Sequence, residues 1–195
     1  MLKIEEQSNN IVDSVVSNMS NLVFFIGMMG CGKTVVGKAV AKKLGMDFID
    51  MDSEIEKEEG ISINEIFATK GEFYFRSLER DMLQKLSMLK KTIISCGGGV
   101  FLAKENIERI NSNGISIFLN TNESIILQRL KKDKHRPLLK GNKSPLEILK
   151  ERLPFYRQAT ITVDITKSDT EANVINCIES LSLHLQSDIK YAHAA

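Results

Sequence analysis

At 195 residues, 43% of them apolar and without an apolar run of bilayer length, the chain is expected to form one soluble globular domain with a sizeable core. Twenty-six Lys and Arg nearly cancel 25 Asp and Glu, so no overall field draws the protein to nucleic acid or to an anionic membrane, and neither is expected as a partner. Three cysteines, Cys31, Cys96 and Cys177, are too few and too scattered for a disulfide framework, which points to a reducing, cytoplasmic setting.

Residues 1–20 carry Glu5 and Glu6 early and show neither a signal-peptide core nor the arginines of a transit peptide. Ile11, Val12, Val15, Val16 and Met19 have helical spacing, so this stretch is read as a short appended helix. From residue 21 to 185, apolar runs of strand length alternate with stretches of 3.6-residue periodicity, the pattern of a parallel sheet covered on both faces by helices. Strands are expected at Leu22–Ile26, Asp47–Asp50, Thr92–Ser95, Ser116–Leu119 and Ile161–Ile165. Helices are expected at Lys33–Leu44, Gly71–Leu89, Lys104–Asn111, Glu123–Leu130, Ser144–Tyr156 and Thr170–Leu183. In the second of these, Phe75, Leu78, Met82, Leu86 and Leu89 form one apolar stripe directed at the core. Residues 131–143 hold six Lys or Arg against one Asp, with Pro137 and Gly141 interrupting any helix, and read as a long loop that is either functional or disordered. Pro145 suits the first turn of the helix that follows, with Ser144 as its N-cap. Residues 186–195 are left as a tail.

The stretch "GMMGCGKT", Gly27 to Thr34, completes the pattern G-x-x-x-x-G-K-[ST] between an apolar strand and an amphipathic helix. Gly27, Gly30 and Gly32 let backbone N–H groups turn inward around an anion, and the helix N-terminus adds partial positive charge. Lys33 supplies a full charge to the β- and γ-phosphates, and the Thr34 hydroxyl suits Mg²⁺. The site is expected to take ATP or GTP.

Asp50 and Asp52 in "DFIDMDSE" lie two apart at the end of the second strand, where an extended backbone would point both the same way, beside the P-loop. Asp52 has a second reading as the cap of the helix beginning "SEIEKEE". Arg76 and Glu79, three apart on a helix, are a surface ion pair unless an anion is there for Arg76 to grip. Gly97, Gly98 and Gly99 in "SCGGGV" mark either a close approach of ligand or chain to the backbone or a flexible turn. Cys31 and Cys96 are read as packing residues, and His135, His184 and His193 have no metal-ligand pattern.

Taken in order, "GMMGCGKT", "DMD", "INEIFATKGEFYFRSLE", "CGGG", "RPLL" and "PFYRQA" resemble shikimate kinase over about residues 21–180. The resemblance implies a P-loop kinase of the nucleoside monophosphate kinase type, α/β in three α/β/α layers with a five-stranded parallel sheet and a mobile lid over about 131–143. It implies transfer of the ATP γ-phosphoryl group to the 3-hydroxyl of shikimate, with ATP and shikimate as partners, Mg²⁺ as cofactor, and a monomer. On this resemblance, Gly27, Met28, Met29, Gly30, Cys31, Gly32, Lys33 and Thr34 hold the nucleotide phosphates, with Arg129 against adenine and Arg136 as the lid arginine over the phosphates. Thr34 and Asp50 attend the metal. Asp52, Arg76, Gly97, Gly98, Gly99 and Arg157 bind shikimate, Glu79 helps hold the pocket, and Lys33, Asp52 and Arg136 are the catalytic set. Rival readings are a gluconate kinase-like enzyme and a silent nucleotide-binding homologue.

Overall fold

The computed structural model describes residues 11–12, 15, 22–132, 143–165 and 169–192. Five strands, β1 (Leu22–Ile26), β2 (Asp47–Asp50), β3 (Thr92–Ser95), β4 (Gly114–Thr121) and β5 (Ile161–Ile165), form one parallel sheet in the order β2-β3-β1-β4-β5. Between them run α1 (Lys33–Leu44), α2 (Met51–Glu59), α3 (Ile63–Thr69), α4 (Gly71–Leu86), α5 (Lys104–Asn113), α6 (Glu123–Lys132), α7 (Pro145–Tyr156) and α8 (Thr170–Ala192).

The central strand shows why the layers form. All five residues of β1 are buried, and they alternate between two cores. Leu22, Phe24 and Ile26 join the cluster that holds Phe75, Met82, Phe101 and Tyr156, whereas Val23 and Phe25 join the one built with Val40, Leu44, Val174 and Leu181. A strand buried on both faces reads as a continuous apolar run, which is what "LVFFI" is. Every strand runs the same way, so the carboxyl ends of β1, β2 and β3 emerge on one edge. The register sets Phe25 beside Ser95 and Ser95 beside Asp50.

The five expected strands are all present, with β4 extended by two residues at each end. Three helical expectations change. Leu89 lies in the turn beyond α4 and is 40% exposed, while Leu83 is fully buried in its stead, because the helix stops at Leu86. The chain "INEIFAT", for which periodicity over so few residues specifies no element, forms α3 with Ser62 as its N-cap. Residues 186–192, read as tail, continue α8. At α7 the capping box is complete, with Glu147 N–H donating to the Ser144 hydroxyl at 3.2 Å and Ser144 N–H to the Glu147 carboxylate at 2.7 Å. Among the described residues no helix is long and apolar enough to cross a membrane.

In the appended N-terminal stretch, Ile11, Val12 and Val15 are helical; Val15 is fully buried in the α1/α8 core, and Ile11 and Val12 pack against it. Val15→Asp puts a carboxylate into that core and is expected to cost about 3 kcal/mol of stability. Urea unfolding followed by circular dichroism checks this, and a loss below about 0.5 kcal/mol, the size of an ordinary surface substitution, would contradict it.

Candidate active site

The loop after β1 is shaped to hold an anion. Gly32, the N-cap of α1, adopts φ 108°, a left-handed conformation that a side chain would strain, and the helix begins with no side-chain cap and no acidic residue in its first turn. Its first N–H groups are therefore available to a ligand, with the helix dipole behind them. Lys33 is buried beneath the loop, where its ammonium donates to the Gly27 and Met28 carbonyls at 2.9 and 3.1 Å and lies 3.8 Å from Cys31 Sγ. The long side chain is thus held within the loop that it would serve.

Beside it, the Thr34 hydroxyl donates to Asp50 Oδ2 at 2.7 Å and lies 3.5 Å from the Ser95 hydroxyl. Asp50 is also the N-cap of α2, accepting from Ser53 N–H at 3.4 Å. Two details of the sequence reading change here. The cap is Asp50, not Asp52, and Asp52 stands in the first turn of α2 rather than on the strand. The two carboxylates come to the same cavity because the chain passes from strand to helix between them, not through strand alternation.

The acceptor end is floored by glycine. A Cβ on Gly97 would come within 2.6 Å of Asp52 Oδ1 and 2.7 Å of Glu79 Oε1, and one on Gly99 would overlap the Arg76 guanidinium. Gly97 and Gly99 are therefore space for side chains arriving from α2 and α4, a close approach of chain to backbone, whereas a Cβ on Gly98 would meet only ordinary contacts. Arg76 is clamped between acids: its Nη1 donates to Glu79 Oε2 at 2.5 Å, and its Nε and Nη2 donate to Glu72 Oε1 at 3.2 and 2.8 Å. Glu79 is 1% exposed, so the pair is no surface decoration.

The structure does not bring Arg157 to this cavity. It is the exposed C-cap of α7, with its backbone N–H donating to the Leu153 carbonyl at 3.1 Å. Arg152 instead packs behind its wall, buried and donating to the carbonyl of the lining residue Gly98 at 3.2 Å, with the Tyr156 hydroxyl donating to the same oxygen at 2.6 Å. Arg152 and Tyr156 are one helical turn apart and share the inward face; Arg157, one residue further, is rotated off it. That spacing of four was the signal in the sequence that would have selected Arg152.

One cavity of about 660 Å³ joins these parts: Lys33, Thr34, Asp50, Asp52, Arg76, Glu79, Ser95, Gly98 and Gly99 line it, with Phe67 and Phe75 at the acceptor end. Their rings are 4.8 Å apart. At the opposite end the lining includes Arg129, whose Nη1 donates to the Gly30 and Cys31 carbonyls at 3.0 and 3.1 Å, and Asn173. Arg136 and most of the expected lid lie outside the described residues. Ser95, Arg152, Tyr156, Phe67 and Asn173 are the site residues that the sequence reading omits. All three cysteines are free and buried, and burial pushes the thiol of Cys96 up and that of Cys177 up to about 12.

Electrostatically the acceptor end is tuned by burial. Desolvation raises Glu79 to about 7 against the pull of Arg76, and the nearby Asp52 charge adds to the rise. Burial opposes the charge of Arg76, but Glu79 and Glu72 outweigh it and raise the guanidinium above its usual value. The sign for Glu79 follows from its folded value lying above the unfolded one. Its contribution to stability is fully present below about 4.5 and is lost as pH rises through about 7. Glu79→Gln is expected to flatten this dependence, so that thermal midpoints at about pH 5 and about pH 8 differ less in the variant than in the parent. Equal differences in the two proteins would exclude Glu79 as the buried titrating group.

Comparison with known proteins agrees with this geometry. The family described as "Shikimate kinase" matches residues 29–182. The shikimate kinase of Thermodesulfovibrio yellowstonii is 41% identical over 170 residues, covering 84% of this chain and 98% of that protein. Among solved structures, shikimate kinase from Acinetobacter baumannii in complex with shikimate superposes with a TM-score of 0.78 at 34% identity, covering 87% of this chain and 97% of that one. A gluconokinase from Sinorhizobium meliloti 1021, at TM-score 0.58 and 18% identity over 90% of this chain and 99% of its own, shares the fold alone. With the phosphate loop, the five-stranded parallel sheet and identity over nearly the whole length of its relatives in agreement, the chain belongs to the shikimate kinase family.

Proposed function

We propose that the protein transfers the γ-phosphoryl group of ATP to the 3-hydroxyl of shikimate, releasing ADP and shikimate 3-phosphate as a step toward aromatic amino acids. The observation that carries this reading is the single cavity in which a phosphate loop opens directly onto a glycine-floored chamber walled by Asp52 and Arg76. Phosphoryl transfer needs positioning and charge neutralisation more than covalent help, and the two halves divide that work.

On the donor side the P-loop amides and Lys33 hold the β- and γ-phosphates. Thr34 and Asp50 are hard oxygen donors 2.7 Å apart at the edge of the loop, and Mg²⁺ characteristically takes one or two such protein ligands together with substrate phosphates. When bound there, Mg²⁺ would neutralise charge on the phosphate oxygens. Among the described residues no group of three or more His, Cys, Asp or Glu could hold a metal.

On the acceptor side Arg76 and Arg152 supply the planar forks that a ring carboxylate needs, one from α4 and one from α7, with Glu79 fixing the first. Asp52 is placed to orient the attacking hydroxyl and to take its proton. Arg157 has no part in this arrangement; Arg136, by resemblance, belongs over the phosphates on the lid. We take the protein to be a monomer, as the resemblance implies, and its three free thiols suit a reducing cytoplasm. A gluconate kinase is the weaker reading, because the likeness to that enzyme extends to the fold and not to the sequence.

Coupled ADP release with shikimate as acceptor tests the activity; folded protein that turns over gluconate but not shikimate would overturn the assignment. Lys33→Ala is expected to lose turnover. Arg152→Ala is expected to raise the KM for shikimate about 10- to 100-fold, the worth of one charge-assisted hydrogen bond, whereas Arg157→Ala shifts it less than about twofold. The reverse ranking would restore Arg157 to the site.

A further inference from the structure

The acceptor chamber is walled by two helices that meet it at different points of one excursion of the chain. α2 leaves the cavity after Asp52, α3 follows, and α4 returns to the cavity at Arg76 and Glu79. Neither joint in this excursion fixes an angle through its backbone. Gly60, the C-cap of α2, has φ 70°, and Gly71, the first residue of α4, has φ 79°; a Cβ on either would meet nothing within 4 Å. α4 also begins without a side-chain cap. Left-handed glycines in open space leave the helices to be aimed by side-chain contacts.

One such contact is the Phe67–Phe75 ring pair, which is part of the cavity wall. Another lies away from the cavity. Lys70, at the joint of α3 and α4, donates to Glu59 Oε2 at 2.7 Å and to the Tyr74 hydroxyl at 3.3 Å, with its ammonium 4.5 Å from the centre of the Tyr74 ring. The Tyr74 hydroxyl in turn donates to both oxygens of Glu59 at 3.1 Å. Each member meets the other two, so the last residue of α2 is joined to the first turn of α4. The Glu59 side chain is only 14% exposed, and Tyr74 is half-buried against the core that holds Phe75. Lys85 and Glu58 bridge the same two helices at 2.6 Å, but as a single pair with 59% and 50% of their side chains exposed, the kind of contact that contributes little. Glu59, Lys70 and Tyr74 are not among the residues lining the cavity, so any effect they have on a substrate passes through the helices.

We propose that Glu59, Lys70 and Tyr74 are positioning residues for the phosphoryl acceptor, tying α2 to the start of α4 so that Asp52 and Arg76 face each other across the chamber at the separation the acceptor needs. The proposal rests on the reading of this chamber as the acceptor site. An acceptor binds the arrangement in which both walls are in place, so its apparent affinity falls with the fraction of molecules that hold that arrangement. Loosening the tie therefore acts on the KM for shikimate. The phosphate loop, built on β1 and α1, takes no support from these three side chains, and the donor half is left as it was.

Steady-state kinetics on the full chain, with shikimate and ATP varied in turn, test this. Lys70→Met is expected to raise the KM for shikimate about fivefold, and Tyr74→Phe, which keeps the ring and loses the hydroxyl, about twofold, with kcat and the KM for ATP unchanged in both. Exchanging the two charges, Glu59→Lys with Lys70→Glu, is expected to bring the KM for shikimate back to within about twofold of the parent, and Lys85→Met to leave it unchanged. A KM for shikimate in Lys70→Met within about 1.5-fold of the parent, or no higher than in Lys85→Met, or rising in step with the KM for ATP, would overturn the proposal, as would a charge exchange as impaired as Lys70→Met itself. Hydrogen exchange of the backbone amides of residues 72–79, expected to be about fivefold faster in Lys70→Met with α1 unchanged, reads the tie without any substrate. Should the parent protein show no shikimate-dependent turnover, the kinase reading fails by itself, and exchange in α4 of Lys70→Met at the parent's rate would then overturn the tie as well.

Discussion

Strand β1 is the constraint on which the rest depends. Its five residues are buried on both faces, so it can sit only in the middle of the sheet, with β3 on one side and β4 on the other. Because all its neighbours run parallel to it, the chain must leave each strand at the same edge of the sheet before crossing back through a helix. The phosphate loop, the Asp50 corner and the glycine run are the exits of β1, β2 and β3. Their meeting is a consequence of burying "LVFFI", and none of them needs a long-range contact of its own to reach the site.

Within that frame the acceptor chamber is held by a balance of charges that burial makes strict. Glu79 and Arg76 are paired at 2.5 Å where little water can screen them, and the backbone at Gly97 and Gly99 lies so close that no Cβ fits. A buried carboxylate without Arg76 would be driven to its neutral form, and the guanidinium without Glu79 would lose the contact that aims it. Tyr156 and Arg152 act on the middle glycine, both donating to the Gly98 carbonyl. Helices α4 and α7, remote in the chain, are thereby tied to one short stretch of backbone, and the arginines they carry converge on the same end of the cavity.

Much of the fold and the donor half of the site were legible in the residues. The P-loop is local: its glycines, Lys33 and Thr34 lie within eight consecutive residues whose conformation depends on one strand end and one helix start. The acceptor half was legible only in part. Asp52, Arg76, Glu79 and Gly97 to Gly99 follow from the resemblance, but their reasons differ from those that local pattern suggested, since Asp52 is on a helix and Asp50 takes the cap. Arg157 stands out because "PFYRQA" draws attention to the arginine beside the tyrosine, whereas the helical face is shared by residues four apart, Arg152 and Tyr156. Leu89 failed for a similar reason, as periodicity continues past the residue where the helix ends.

The sequence by itself determined the class of fold, the alternation of its five strands with the longer helices, and the anion-binding loop, because each of these is set by short-range rules of periodicity, capping and backbone freedom. What only the tertiary structure decided is which charged side chains face one another. Arg152 rather than Arg157 reaches Gly98, Glu79 is buried against Arg76, and Asn173 lines the far end of the same cavity that holds Asp52. Those facts depend on the rotation of α4, α7 and α8 about their own axes against the sheet. That rotation is set by the packing of many apolar residues at once, so no single stretch of the chain records it.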